Sequence, residues 1–216
     1  MDALVDMLQT LRLNGGLFLE AEFTAPWCIH AQVGPEDCAP HAPVPRHIIA
    51  YHYVFDGEML LQVADAAPVR VGPGQIAVLP RNDVHRMGST LTRRAVTADS
   101  LIEPGTAGGL ARIVHGGGGA PTRLYCGFLG SEMAHHPVLS VLPAVLVLDA
   151  TDAASGDWVE RSLRFAVETR AAGGVLSPHL VGRVAELLFL DSVRRYVERL
   201  EGDRGWNPDL LDARIA

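Results

Sequence analysis

Two histidines and two cysteines are the residues of this sequence best suited to chemistry: His52, His85, Cys126 and Cys38. Neutral imidazole nitrogens and thiolates are the ligands that zinc takes in closed tetrahedral sites, and an imidazole can instead hydrogen-bond a polar or anionic ligand. The four residues lack the tight C-x-x-C spacing of a metal site encoded locally. The alternative is structural, with each histidine held by a carbonyl and each cysteine packed as a small apolar side chain.

The strand that carries His52 has a period of two. One face of it contains Ile48, Ala50, His52 and Val54, and the other contains His47, Ile49, Tyr51 and Tyr53. Turns at Asp56-Gly57 and Gly72-Pro73-Gly74 separate this strand from further short apolar runs, up to His85. Short runs divided by Gly, Pro, Asn and Asp are typical of a small antiparallel barrel or sandwich. We therefore predict that His52 and Val54 point into a barrel.

The same alternation predicts the direction of Cys126. This residue alternates with Leu124 and Phe128, which gives the three side chains a common inward face. Cys38 lies in the segment 34–46, whose prolines and glycine predict an extended loop. Such a loop could fold over the mouth of the barrel.

The composition restricts the class of protein. With 216 residues, of which 48% are hydrophobic, the chain is expected to form one domain with appended helices. Its sequence has no apolar run of the roughly 18 residues that a membrane helix needs and no signal peptide, which predicts a cytoplasmic protein. Three cysteines favour reduced thiols over a disulfide framework. A net charge of -7 argues against nucleic-acid binding by this chain alone.

Helices are predicted at both ends. Asp2–Arg12 has a short amphipathic pattern, and apolar residues return at helical spacing in Trp158–Ala171 and Leu180–Leu200. The predicted organisation is a barrel with a short N-terminal helix over residues 1–150, a helical region over 151–202, and the start of a linker over 203–216.

Several sequence motifs resemble one known family. Gly74, the run Pro80-Arg81-Asn82 and His85 are spaced like the second signature of the cupin barrel, and Tyr51–Gly57 resembles the end of the first. Further matching motifs are Pro26-Trp27-Cys28, Glu36-Asp37-Cys38-Ala39-Pro40, Arg112-Ile113-Val114-His115 with the glycines that follow it, Cys126-Gly127-Phe128, His136-Pro137 and Leu142-Pro143. Together they resemble the N-terminal effector-sensing cupin domain of AraC-type transcriptional regulators.

The resemblance implies a mainly β fold with C-terminal helices, in which a cupin-like jelly-roll barrel precedes a helical pair. It implies that His85 points inward, and that the region 151–202 mediates dimerisation and leads to DNA-binding helices absent from this chain. In metal-binding cupins a glutamate occupies the position of Ala50, and a histidine pair upstream is also missing here. Enzymatic activity is therefore not expected.

Two functions remain in view. In the first, the chain is the sensing half of a regulator, a homodimer with a small effector bound near His52, His85, Val54 and Phe128. In the second, it is a stand-alone metal-dependent cupin enzyme, either an oxygenase or an isomerase. A bound metal would be zinc held by His52, His85, Cys126 and Cys38. Three arginines flank the expected mouth and could attract a carboxylate, although surface arginines are commonly only solvated: Arg46, Arg81 and Arg86.

Overall fold

The described part of the chain folds into eleven β-strands and a long C-terminal helix, seen here in a computed structural model. The structure describes residues 11, 13–39, 43–105, 110–134, 136, 138–139, 142–149, 161–162, 165, 169 and 178–202. The strands are β1 (Leu13–Thr24), β2 (Cys28–Ala31), β3 (His47–Asp56), β4 (Met59–Val63), β5 (Val69–Val71), β6 (Gln75–Leu79), β7 (His85–Gly88), β8 (Val96–Thr97), β9 (Ala111–Gly116), β10 (Pro121–Ser131) and β11 (Leu146–Asp149). The α-helices whose bounds lie within the described residues are α1 (Pro35–Cys38) and α2 (Pro178–Gly202), and Ala98–Leu101 forms a 3-10 helix.

The strands form two sheets, as a jelly roll requires. The larger sheet has the order β11-β6-β3-β10-β1-β9, and the smaller has the order β5-β4-β7-β2-β8. Adjacent strands are antiparallel except for the pairs β1–β9 and β2–β8, which are parallel. The predicted class, a mainly β cupin-like jelly roll with C-terminal helix, is confirmed, although the two sheets do not close into a continuous barrel.

The two faces of the larger sheet bury different cores. The inner core lies between the sheets and includes Ala50 and Val54 of β3, as the alternation predicted. The outer core includes Tyr51 and Tyr53 of β3, together with Phe189 of α2. Strand β3 is therefore covered on both sides, which explains why its sequence is an almost unbroken apolar run.

Helix α2 is the predicted helix Leu180–Leu200, slightly extended at both ends. Its buried side includes Ala185, Phe189 and Val193. No helix among the described residues is long and apolar enough to cross a membrane. All of the predicted helix Asp2–Arg12 except residue 11 lies outside the described residues, as do the tail 203–216 and most of the predicted helix Trp158–Ala171.

Four consecutive glycines, 116–119, predict a hairpin connection between β9 and β10, but the structure shows a different one. Strands β9 and β10 lie on opposite sides of β1, so the run crosses the end of that strand. The amide of Gly117 donates to the Thr24 carbonyl, that of Gly118 to the Thr24 hydroxyl and that of Gly119 to the Ala25 carbonyl. The connection is hydrogen-bonded along its length because the end of β1 supplies acceptors.

Two further predictions are corrected. The segment 34–46 was expected to be an extended loop, but it contains α1, which Asp37 caps by accepting a hydrogen bond from the Gly34 amide at 2.8 Å. The apolar stretch Pro137–Leu148 predicts a strand outside the barrel, whereas β11 (Leu146–Asp149) joins the larger sheet beside β6.

Candidate functional site

Three of the four predicted chemistry-bearing side chains meet between the sheets in a hydrogen-bonded chain. Nδ1 of His52 lies 3.0 Å from Sγ of Cys126, and its Nε2 lies 2.9 Å from Nε2 of His85. Nδ1 of His85 lies 2.8 Å from the carbonyl oxygen of Asp83. His52, His85 and Cys126 are only 3%, 1% and 3% exposed. We call these three residues the buried chain.

The carbonyl of Asp83 sets the direction of every proton in the buried chain. A carbonyl only accepts, so Nδ1 of His85 must carry a proton, and in a neutral ring its Nε2 is then an acceptor. His52 must consequently donate from Nε2, which leaves its Nδ1 to accept the S–H of Cys126. All four ring nitrogens have a partner. The protein itself therefore satisfies both buried imidazoles, without a water or a metal ion as partner.

Burial keeps the three residues of the buried chain uncharged near neutral pH. Burial lowers the pKa of His52 well below its ordinary 6.5, and the neighbouring His85 lowers it further. Burial lowers the pKa of His85 to about 4, although its hydrogen bond to the Asp83 carbonyl works in the opposite direction. Burial likewise raises the pKa of Cys126 to about 12, with a smaller contribution from Asp37. A thiol in this state is a poor nucleophile.

Strand register brings His52 and Cys126 together. In the antiparallel pairing of β3 with β10, these two residues stand directly opposite each other. The neighbouring pair on the opposite face is Tyr51 and Gly127, and a Cβ at Gly127 would lie 2.2 Å from the Tyr51 ring. Only glycine leaves space for that ring, whose hydroxyl donates to the Gly16 carbonyl at 3.0 Å.

The turn before β7 positions His85. Its last residue is Asn82, whose amide donates to the Leu79 carbonyl and which has a positive φ of 51°, a conformation that asparagine tolerates better than most residues. The Asn82 side chain accepts a hydrogen bond from the Val33 amide at 3.1 Å and donates to the Val33 carbonyl at 2.8 Å. This paired contact fixes the turn against the end of β2, and with it the Asp83 carbonyl that binds His85.

A small cavity adjoins the buried chain, with a volume of ≈ 30 Å³. One water needs about 10–15 Å³ in this measure, so the cavity holds about two waters and no drug-sized ligand. Its walls are mainly apolar, and His52, His85 and Cys126 lie at its polar end. A ligand larger than a few atoms therefore has to extend into the mouth or separate the sheets.

The mouth of the cavity contains polar residues that the sequence did not single out. Gln32, Asp37 and Asp99 line it, from the end of β2, from α1 and from the 3-10 helix. Asp37 belongs to one of the motifs that resemble the family. The sequence did not predict that it lines the cavity, because that depends on the position of α1. Nothing in the polar stretch around Asp99 indicated a site.

The predicted ligand-binding residues divide into two groups. His52 and His85 line the cavity. Val54 and Phe128 are fully buried in the inner core as predicted, but they are not among the described residues that line the cavity. The sequence also predicts that Val78 points inward, which is wrong, because Val78 of β6 pairs with Tyr51 of β3 and lies in the outer core.

Two of the predicted arginines have partners elsewhere. Arg81 donates to the Leu142 carbonyl at 2.8 Å and pairs with Asp83 at 3.3 Å. Arg86 donates to the Leu91 and Arg93 carbonyls. Neither they nor Arg46 belong to the described lining of the cavity.

The predicted zinc ligands do not form a tetrahedral set in this arrangement. The two ring nitrogens of His52 point in opposite directions, so an ion on its Nε2 could not also bind Cys126. Cys38 is fully buried in the inner core and is not among the described residues lining the cavity. Within the described ranges, no group of three or more His, Cys, Asp and Glu residues is placed to hold a metal ion. Zinc binding stays a prediction, which elemental analysis of protein purified without chelator would test.

Comparisons with known proteins give one family match. A family model described as Cupin matches residues 2–198. No curated protein matches the sequence.

Two solved structures of ToxT from Vibrio cholerae O395 are similar at low identity. The first has 7% identity and a TM-score of 0.39, and the alignment covers 87% of this chain and 56% of that one. The second, bound to (E)-4-(8-methylnaphthalen-1-yl)but-3-enoic acid, has 8% identity, a TM-score of 0.40 and coverage of 95% and 71%. This chain therefore spans little more than half the length of the first.

Proposed function

The chain belongs to the cupin family, and we propose that it is the effector-sensing and dimerisation part of a cytoplasmic AraC-type transcriptional regulator. The match confirms the family predicted from the sequence motifs, that of AraC-type effector-binding cupins. In this proposal residues 1–150 bind a small molecule, 151–202 form the dimer contact, and 203–216 begin the linker to a DNA-binding part.

The observation that carries the proposal is the buried chain beside its cavity. Burying polar groups in an apolar core gains little net stability, since each hydrogen bond replaces one to water. An apolar packing of His52, His85 and Cys126 would serve the fold equally well. A cavity with apolar walls and a few convergent polar groups has the composition of a small-molecule site.

Strand β3 connects this site with α2 through the outer core, in which α2 packs mainly against β1. His52 faces the cavity, while its neighbours Tyr51 and Tyr53 face the outer core that contains Phe189 of α2. A ligand that displaces β3 by a fraction of an ångström also displaces these two rings, because packed cores transmit strain. We propose that the ligand changes the position of α2 in this way, which would couple binding to the rest of the regulator.

Dimerisation is proposed to use the exposed side of α2. Leu187 is 50% exposed on this side, whereas Phe189 is only 1% exposed and belongs to the outer core. The sequence had allowed either residue to face the partner, and the burial of Phe189 leaves Leu187 as the candidate. Arg183 and Arg194 share the exposed side with it and have ion pairs within the helix.

The enzyme alternative has no observation in its favour. The position of the cupin glutamate ligand is occupied by Ala50, a buried apolar residue. The imidazoles of His52 and His85 are engaged with each other and with Cys126 and the Asp83 carbonyl. We therefore infer that this site binds a molecule without transforming it.

A ligand screen by thermal unfolding tests the proposal. Compounds that bind the native protein raise its melting temperature by mass action. We expect small, partly apolar compounds to do so, and we expect His52→Ala to reduce the response more than the control His47→Ala, whose ring bonds to the Pro80 carbonyl outside the cavity. Equal responses of the two variants to every active compound would show that His52 does not contribute to the site.

A further inference from the structure

The polar groups at the cavity and its mouth present acceptors. Asp37 and Asp99 carry carboxylates, and the side-chain amide nitrogen of Gln32 already donates to the Asn82 carbonyl at 3.0 Å. The ring nitrogens of His52 and His85 are already paired within the buried chain, so the carboxylates are the acceptors at this site. A ligand that complements this lining must supply the hydrogen-bond donors.

The mouth also carries uncompensated negative charge. Glu36 and Asp99 both lie near enough to Asp37 to raise the pKa of its carboxyl group, to which burial makes the largest contribution. Among the described residues, none of the three acids has an ion pair, and no arginine lines the cavity. Repulsion among these acids is relieved by a cation and increased by an anion.

We propose that the effector is a small alkylamine whose ammonium group binds between Asp37 and Asp99 and whose apolar part lies against the walls of the cavity. This inference rests on the proposed function, since it takes the cavity beside the buried chain as the effector site. It replaces the carboxylate ligand that the flanking arginines had suggested, because Arg81 and Arg86 are bound to carbonyl groups elsewhere.

The dimensions agree with this class of ligand. A volume of ≈ 30 Å³ accepts a methyl or methylene end but excludes a ring. The walls include Phe18, Leu19, Ile29 and Leu124, all of them buried. An n-alkylamine can place its alkyl end among these residues and keep its charged end at the half-buried and exposed acids of the mouth.

Matched probes test the inference. Titrations of n-butylamine hydrochloride, sodium butyrate and 1-butanol would be followed by thermal unfolding and calorimetry at equal ionic strength, with a chelator present. We expect n-butylamine alone to bind and raise the melting temperature. Asp37→Asn, which keeps an oxygen to cap α1, should weaken its binding about tenfold, as should Asp99→Asn, because each replaces a charge-assisted hydrogen bond by a neutral one. Asp65→Asn, an exposed carboxylate in the turn after β4, is the control and should bind as the unmodified chain does.

The outcomes separate the inference from the proposed function. Binding of butyrate or butanol but not butylamine, with a response lost in His52→Ala, would overturn the amine and leave an effector site in place. Equal weakening by Asp37→Asn and Asp65→Asn would reduce the amine effect to general charge attraction and overturn the inference. An amine effect seen in a parallel titration without chelator but absent with it would make a metal ion the true ligand and overturn the inference. If no compound of the wider screen binds, the proposed function fails together with the inference.

Discussion

At the residue scale, one main-chain carbonyl determines the chemistry of the site. Asp83 accepts from His85, which forces the tautomers of both histidines and makes Cys126 the terminal donor. The inward direction of His52 and Cys126 was predictable, because side chains alternate along a strand. Their mutual contact was not, because it depends on the register between β3 and β10, which the sequence of neither strand reveals.

Removal of the Cys126 thiol should cost more than removal of an equally buried one. Cys126→Ala deletes the donor to Nδ1 of His52 and leaves a buried acceptor unsatisfied, which costs about 1–3 kcal/mol. Cys28 is the matched control, since both cysteines are 3% exposed and Cys28 has only a weak 3.9 Å contact with Arg86. Urea denaturation should show the larger loss of unfolding free energy for Cys126→Ala. Equal losses would mean that the hydrogen bond from the Cys126 S–H group to His52 does not stabilise the fold.

The buried ionisable groups predict a maximum of stability between about pH 6.5 and pH 9. Because the pKa of His85 falls to about 4 on folding, the unfolded chain binds a proton that the folded chain does not, and stability is lost as the pH falls below 6.5. His85 alone contributes about 3 kcal/mol to this loss, and the lowered pKa of His52 adds to it. The raised pKa of Asp37 opposes the trend in acid. Above pH 9 the sign reverses, since Cys38 and Cys126 ionise more readily in the unfolded chain.

Urea denaturation over a series of pH values measures this profile. His85→Asn should flatten the acid side, because the variant lacks the group that takes up the proton. His47→Asn, which changes a half-buried imidazole outside the cavity, should keep the profile of the unmodified chain. If the stability of the unmodified protein is constant between pH 4 and pH 7, folding does not lower the pKa of the two buried histidines, and the prediction is wrong.

At the scale of elements, the sequence was informative where periodicity was strong. The period of two in β3 and the period of 3.6 in α2 both predicted the buried faces correctly. It was less informative where a connection depends on distant partners. The glycines 116–119 suggested a hairpin, but β1 lies between β9 and β10, and no local signal marks such an insertion.

Two neighbouring residues of α2 should respond differently to a charge. Leu187→Glu is expected to give a folded monomer, because it removes exposed apolar surface worth about 25 cal/mol per Å² from the proposed dimer contact. Phe189→Glu is expected to destabilise the fold itself, because losing a buried phenylalanine alone costs about 3–5 kcal/mol. Sedimentation and circular dichroism distinguish the two effects. An unmodified chain that stays monomeric at high concentration would remove the proposed contact.

At the scale of the whole molecule, charge limits what this chain can bind. It has 18 basic and 25 acidic residues, for a net charge of -7. Since neutralised phosphates supply most of the affinity for DNA, we expect no specific complex in gel-shift titrations against DNA upstream of its gene at moderate salt. A specific nanomolar complex would show that these 216 residues recognise DNA themselves and would contradict the proposal that another part of the regulator does so.

The most direct test of the account follows the two imidazoles by nitrogen NMR, with the most stabilising compound of the ligand screen. In the free protein we predict a proton on Nδ1 of His85 and on Nε2 of His52. The compound should then shift the ring nitrogens of both residues, while those of His47, outside the cavity, stay unchanged. Unchanged signals of His52 and His85 in the presence of a compound that clearly stabilises the protein would contradict the claim that the effector binds between the sheets.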